Sequence, residues 1–165
     1  MIRYISLTGI VLLLSLGHVY APDLIDRWAN AVRKPAAPHV HRHVIHSYFH
    51  TIPECPEGKY LVYYTSDAPS GERGDLRIQE RSTGKETIIA EGLVTEDAHR
   101  VACQQWVNHG KTIVYHNLSE GIWRVLAYCM ETKATKVLAE DRQVGFGVYA
   151  SPWVPLYGKH WNPGL

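Results

Sequence analysis

The chain has 165 residues, of which 45% are hydrophobic and 20% charged; this is the composition of a globular protein and excludes a disordered chain. A formal net charge of +1 provides no broad basic or acidic field, so nucleic acid is not expected as a partner. Histidine is the unusual residue, with ten copies, and five of them lie between positions 39 and 50.

Residues 1–21 predict an export signal. Arg3 gives a positive start, and an apolar run follows over residues 5–17. This run is shorter than the roughly 20 residues that span a membrane, and it fits a signal peptide. Cleavage after residue 17 and cleavage after residue 21 both fit, and an uncleaved membrane anchor is a further alternative. We expect a secreted or periplasmic protein that contacts the membrane only through this signal.

Residues 22–38 predict a short helix and a linker. Leu24, Trp28 and Val32 recur at a spacing of four residues, which places them on one face of a helix, and Pro35 ends it. The remainder, residues 39–165, has the pattern of β-structure.

Three cysteines, Cys55, Cys103 and Cys129, follow the predicted signal. An odd number leaves at least one free thiol even in an oxidising compartment. Their spacings match no zinc-binding motif. We therefore interpret all three as structural, buried thiols.

Short runs of β-branched and aromatic residues, separated by turns that contain glycine, predict strands over the rest of the chain. The first group of predicted strands covers residues 60–65, 75–81 and 86–90. The same order of Gly-Lys, strand, turn, strand, turn and strand is then repeated over residues 106–116, 123–130 and 136–140.

This duplication predicts an all-β fold, a partial β-propeller. Gly58 and Gly110 open the two copies and lie 52 residues apart, and a period near 50 residues built from antiparallel strands is typical of propeller blades. We expect blades at about residues 46–91 and 99–140, with the start of another at 145–165. Closure takes about 4–8 blades, so further C-terminal blades are expected to complete the ring. A small two-sheet β-sandwich is the alternative.

The propeller interpretation has two physical consequences. A blade is expected to be apolar on both faces, because its neighbours cover both of them. Two blades without further neighbours would leave unpaired strand edges, and we expect such a piece to aggregate or to dimerise edge to edge.

The motif CPEGKYLVYYTS at residues 55–66 resembles the opening of TolB-type propeller repeats, with Cys55 where serine is usual and Glu57 for aspartate. Residues 46–50, together with the hairpin at 76–90 and the start of the second copy, are similar to the first blades of oligogalacturonate lyases. The resemblance covers roughly residues 39–150.

The lyase resemblance implies a full-length enzyme that cleaves uronate oligosaccharides by metal-assisted β-elimination. It implies a divalent metal, manganese, whose ligands are expected mainly beyond residue 165. None of the family's catalytic residues can be matched to this chain, so no catalytic residue is assigned and the piece is expected to be inactive alone. The TolB resemblance implies the alternative, a non-catalytic propeller that serves as a binding or scaffold module.

Two groups of histidines are candidate site residues. His39, His41 and His43 alternate along a predicted strand, which places three imidazoles on one face and allows them to bind a divalent metal. The alternative is a polar surface strand. His46 and His50 precede the first strand of the first copy, where the resemblance places part of the sugar site.

His99 and Arg100 occupy the corresponding place before the second copy. An arginine can pair with a uronate carboxylate through two hydrogen bonds, and the amide of Gln105 can bond sugar hydroxyls. We therefore predict that these three residues, with His46 and His50, bind an anionic oligosaccharide; a solvated loop is the alternative.

Overall fold

The structure is a computed structural model, which divides after residue 36 into two units. It describes residues 42–96 and 98–158, all of them in the second unit. The predicted signal and helix, and the metal candidates His39 and His41, lie outside the described residues. Within the described ranges, no helix is long and apolar enough to cross a membrane.

The regular structure of the described part is β-strand, apart from a single short 3-10 helix at Asn108–Gly110. The strands are β1 His43–Ile45, β2 Tyr60–Ser66, β3 Arg73–Glu80, β4 Glu86–Val94, β5 Gln105–Val107, β6 Thr112–Ser119, β7 Ile122–Cys129, β8 Thr135–Glu140, β9 Gln143–Val144 and β10 Leu156–Tyr157. Strands β1 to β4 form one antiparallel sheet in sequence order, blade 1, and strands β5 to β8 form a second, blade 2. Strands β9 and β10 pair with each other.

The predicted all-β class is confirmed, and strand pairing occurs within each copy of the repeat. The six predicted strands correspond to β2, β3, β4, β6, β7 and β8, with ends that differ by a few residues. The short strands that open each sheet, β1 and β5, have three residues each and were not predicted as separate elements. Two successive four-stranded meanders are consistent with a partial propeller-like fold.

The faces that meet between the two blades also favour this arrangement. Val62 and Tyr64 of blade 1 pack in one buried cluster with Ile113 and Tyr115 of blade 2. With the offset of 52 residues between the copies, the counterparts of Ile113 and Tyr115 are residues 61 and 63, on the opposite face of blade 1. The sheets therefore stack front to back, as successive blades do, whereas a two-fold sandwich would bury equivalent faces against each other.

The back face of blade 1, which bears Tyr63 and Asp75, differs from the expectation that both faces of a blade are apolar. Asp75 accepts hydrogen bonds from Arg42 at 2.7 Å and from Arg77 at 3.1 Å. Glu86 accepts a hydrogen bond from Tyr63 and lies 3.9 Å from Arg77. The expectation was wrong for this face because its polar side chains satisfy one another.

The front face of blade 2 is apolar and is covered by residues 143–157, which we call the strap. Val144, Phe146 and Val154 of the strap pack against the cluster that contains Val114 and Val125. Gly145 donates to the Pro155 carbonyl at 2.7 Å, next to the β9–β10 pair. The strap therefore takes the position on blade 2 that blade 2 itself takes on blade 1.

Candidate functional site

Five rings from three separate segments converge near the start of the two blades. Tyr48, Phe49 and His50 come from the loop between β1 and β2, His99 from the loop between β4 and β5, and Phe146 from the strap. We call these five residues the aromatic–histidine cluster. Two of them, His50 and His99, were predicted from the sequence as site residues.

Tyr48 is the centre of the cluster. Its ring stacks on Phe146 at a centroid distance of 4.9 Å and an interplanar angle of 22°. The His99 ring meets it edge-on at 4.3 Å, and the His50 ring lies at 5.4 Å. The two histidines from corresponding places in the repeat thus contact the same tyrosine.

The cluster presents an apolar ring to solvent. The Phe49 side chain is 74% exposed, and its centroid lies 4.0 Å from that of His50, which is also exposed. Large exposed aromatic rings that are grouped with polar neighbours are characteristic of binding surfaces. The imidazole nitrogens add hydrogen-bond donors and acceptors to this surface.

Arg100 lies beneath the cluster and not on its surface, since it is 3% exposed. Its guanidinium donates to the Val144 carbonyl at 2.9 Å and forms an ion pair with Glu96 at 3.7 Å. Its central carbon lies 5.7 Å from the Phe146 ring. In this structure the charge of Arg100 holds the strap and Phe146.

Gln105 is likewise buried and engaged within the protein. Its amide nitrogen donates to the Gly145 carbonyl at 2.8 Å, and its amide oxygen accepts the Gly147 N–H at 2.9 Å. Both polar atoms therefore bond the strap, so a ligand would have to displace the strap to reach them.

The remaining predicted residues, His43 and His46, are exposed. His46 follows the end of β1 and is exposed, and His43 lies on β1 opposite Ser66. Within residues 42–96 and 98–158, no group of three or more His, Cys, Asp or Glu side chains is arranged to hold a metal ion. The metal site predicted at His39, His41 and His43 falls largely outside these ranges and stays a prediction.

His116, which is 1% exposed on β6, was not among the residues predicted from the sequence. Its Nδ1 accepts the Val144 N–H at 3.1 Å, and its Nε2 lies 3.0 Å from the Val101 carbonyl. The ring is therefore neutral, with its proton on Nε2. Burial, and next the charge of Arg100, lower the pKa of His116 to about 3. A histidine within a run of β-formers was the only signal in the sequence.

The crystal structure of TolB from Acinetobacter baumannii is similar to this chain, with a TM-score of 0.45 and 16% sequence identity. The match covers 62% of this chain and 24% of the TolB chain, so this chain spans about a quarter of that protein. This similarity is too low to assign a function. No protein-family model and no curated protein matches the sequence.

Proposed function

We propose that this chain is a non-catalytic, propeller-type binding module and that the aromatic–histidine cluster is its ligand surface. The observation that carries the proposal is the convergence of five rings from three segments, with Phe49 74% exposed among them. Placing so much aromatic surface against water has a free-energy cost that binding would recover.

The chemistry of the cluster favours an oligosaccharide as the ligand. Aromatic faces stack on the apolar face of a sugar ring, while imidazole nitrogens bond its hydroxyl groups. The cation that would select a uronate, Arg100, is buried and bonded to Val144 and Glu96. The surface as it stands therefore favours recognition by stacking over recognition of a carboxylate.

A titration followed by NMR tests this proposal. The probes are a short oligogalacturonate, a neutral cello-oligosaccharide and, as a different class of ligand, a proline-rich peptide. We expect a sugar to shift the resonances of Tyr48 and Phe49. Phe49→Ala should weaken its binding about tenfold, since one stacked ring contributes about 1–1.5 kcal/mol.

Trp153→Ala is the matched control, because Trp153 is 80% exposed and lies outside the cluster. It should leave the dissociation constant unchanged. The proposal fails if no sugar shifts the resonances of the cluster, or if the two variants weaken binding equally. A response to the peptide alone would also overturn it in favour of peptide recognition.

Lyase activity is the second candidate, and the observation in its favour is that His50 and His99 both contact Tyr48. The described residues contain no set of side chains suited to hold the manganese that the resemblance implies, so we derive no catalytic step through it. Incubation of the chain with oligogalacturonate and manganese tests the activity. The ultraviolet absorbance of an unsaturated uronate would favour the lyase over the binding module.

We also propose that the protein is exported. Its support is the positive start at Arg3 and the apolar run at residues 5–17. Sequencing the N-terminus of the mature protein tests it, with cleavage expected after residue 17 or after residue 21. A mature chain that retains Met1 in the cytoplasm would contradict export.

A further inference from the structure

The strap is fastened to blade 2 by three buried polar side chains. His116 accepts the Val144 N–H at 3.1 Å, Arg100 donates to the Val144 carbonyl at 2.9 Å, and Gln105 bonds Gly145 and Gly147. All three side chains are at most 6% exposed. Val144 therefore has both of its backbone polar groups bonded to side chains that can carry a positive charge.

Phe146 belongs both to the strap and to the aromatic–histidine cluster, so it links the two. This ring lies two residues beyond Val144, stacks on Tyr48 at 4.9 Å and lies 5.6 Å from His50. A strap that leaves blade 2 would carry Phe146 away from Tyr48 and remove one wall of the cluster. The shape of the candidate ligand surface thus depends on the strap.

The surroundings of His116 oppose a second ring proton, because burial and the charge of Arg100 outweigh the hydrogen bond to Val101. Among the described residues, the nearby ionisable groups are Arg100, with Glu96 as its ion-pair partner, and the buried thiol of Cys103, whose pKa is raised to about 11 by burial. On the β7 side, His116 meets the Trp123 ring edge-on at 5.2 Å. An imidazolium would lose the Val144 N–H bond and face the Arg100 cation.

The segment opposite the strap is also under backbone strain. Val101, whose carbonyl accepts the Nε2–H of His116, has a φ of 42°, and Cys103 has a φ of 49°. A β-branched residue at positive φ is unfavourable and persists only where its surroundings hold it. The Nε2–H bond to Val101 stays in place when Nδ1 is protonated, so protonation acts on the strap side of the ring.

We propose that His116 is a positioning residue that makes the candidate ligand surface acid-sensitive: the neutral ring keeps the strap closed, and protonation releases the strap together with Phe146. The expected effect on ligand binding rests on the function proposed above, whereas the release of the strap does not. The exposed histidines of the cluster, His50 and His99, are not needed for this effect.

The direction of the pH effect follows from linkage. The pKa of His116 is about 3 in the closed state, and a solvated imidazole in the open state has a pKa of about 6.5. The open state therefore binds more protons between these values, and closure weakens as the pH falls. The ratio of open to closed strap should rise about tenfold per pH unit between about pH 6 and pH 4.

Hydrogen exchange measured by NMR tests the release, with rates corrected for the intrinsic pH dependence. The reporters are the amides of Val144 and Gly147, which bond His116 and Gln105. The reference is a core amide between β6 and β7, such as that of Ile113. We expect reporter protection to fall about tenfold per pH unit below pH 6, while the reference changes less.

His116→Asn is the informative variant, because an amide oxygen can still accept the Val144 N–H but does not titrate. Its reporter protection should stay within about twofold from pH 7 to pH 4. His50→Asn is the control and should behave like the wild type. The proposal is overturned if wild-type protection is flat with pH, if reporters and reference fall together, or if the His50 variant abolishes the effect.

The imidazole 15N shifts of His116 in the wild-type protein provide a test that does not depend on a variant folding. They should show a neutral ring protonated on Nε2 at pH 7; a ring that is charged at pH 6 would contradict the proposal. Sugar affinity between pH 7 and pH 4 then separates the two claims. Acid release of the strap without any sugar binding would remove the proposed function and leave the role of His116 intact.

Discussion

Blade 1 and blade 2 share one pattern of strands but carry different residues at corresponding positions. Tyr64 of blade 1 corresponds to His116 of blade 2, and Gly74, two residues before the partner of Tyr64, corresponds to Trp123. Blade 1 places its large ring on β2 and leaves space on β3, whereas blade 2 places the large ring on β7. In blade 1 the Tyr64 ring lies against Gly74, and in blade 2 the Trp123 ring lies against His116.

The outer surfaces of the pair also differ. The back of blade 1 carries ion pairs centred on Asp75, whereas the front of blade 2 is apolar and needs the strap. Ion pairs within a face satisfy its polar groups, while apolar side chains must be covered to leave water. The two copies of the repeat therefore share their strand pattern. Whether the side chains of a face are polar or apolar depends on what packs against that face.

The largest expected effect separates two tryptophans, Trp106 and Trp153, each of which is followed by a valine. Trp106 is 1% exposed between the blades and donates to the Pro53 carbonyl at 2.8 Å, whereas Trp153 is 80% exposed. Trp106→Ala should lower the free energy of unfolding by about 3–5 kcal/mol, and Trp153→Ala by at most about 0.5 kcal/mol. Denaturant unfolding followed by circular dichroism measures both, and equal losses would show that the blades do not pack through Trp106.

Gly74→Ala tests how blade 1 makes room for its ring. A Cβ there would lie 2.1 Å from the Thr65 carbonyl oxygen and 2.7 Å from the Tyr64 ring. We expect a loss of about 1–3 kcal/mol or more in unfolding free energy. Gly84→Ala is the control, because a Cβ at Gly84 meets nothing within 4 Å and only its φ of +71° opposes the change. A smaller loss at Gly74 than at Gly84 would contradict the packing of Tyr64.

The ion pairs of blade 1 should make the stability of the protein fall in acid. Burial raises the pKa of Asp75, but the hydrogen bonds from Arg42, Gly92 and Arg77 outweigh it and leave the pKa below its usual value. Its contribution to stability is therefore present above about pH 4 and is lost as the pH falls further. Asp75→Asn should cost about 1–2 kcal/mol at pH 7 and less at pH 3. Thermal unfolding at both pH values measures the difference.

Glu140→Gln in blade 2 is the matched control for this experiment. Glu140 accepts a hydrogen bond from Arg124 at 3.0 Å, but its side chain is 61% exposed. An exposed pair contributes little, so the variant should unfold like the wild type at both pH values. An equal response to the two substitutions would remove the special role of the blade 1 network.

The smallest expected effect concerns the cysteines and leaves stability unchanged. Cys129 is half-buried, and hydrogen bonds from the side chain and then the backbone of Thr132 lower its pKa. Cys55 and Cys103 are buried. A thiol reagent at pH 7.5 should modify Cys129 first, as peptide mass spectrometry would show. Earlier modification of Cys103 would mean that the segment beneath the strap opens in the native protein.

The repeat allowed much of the fold to be predicted, because strand pattern and turn residues are local. β2, β4 and β7 were located within a few residues, and the buried state of Cys55 and Cys103 agrees with the interpretation as structural thiols. Cys129 is only half-buried, since it ends β7 beside the turn. The strands β1 and β5 were not predicted as separate elements: β1 begins at His43, where the predicted histidine strand ends, and β5 lies at the start of the predicted segment 106–116.

The candidate site was predictable only in part. His50 and His99 could be chosen because they precede the same strand in both copies, but nothing local marks Phe146, which reaches Tyr48 across 98 residues of sequence. The buried roles of Arg100 and Gln105 are also long-range, since both depend on where the strap returns to blade 2. Local sequence identifies such side chains but not the surface or core to which they belong.

Because the sheets stack front to back, the two outer faces of the pair of blades differ. At one end, a further sheet that displaced the strap could use the apolar side chains of β6 and β7. At the other end, it would have to strip water and partners from Asp75 and Arg77, which is costly for buried charge. Growth of such an assembly would therefore proceed from blade 2 outward and not from blade 1.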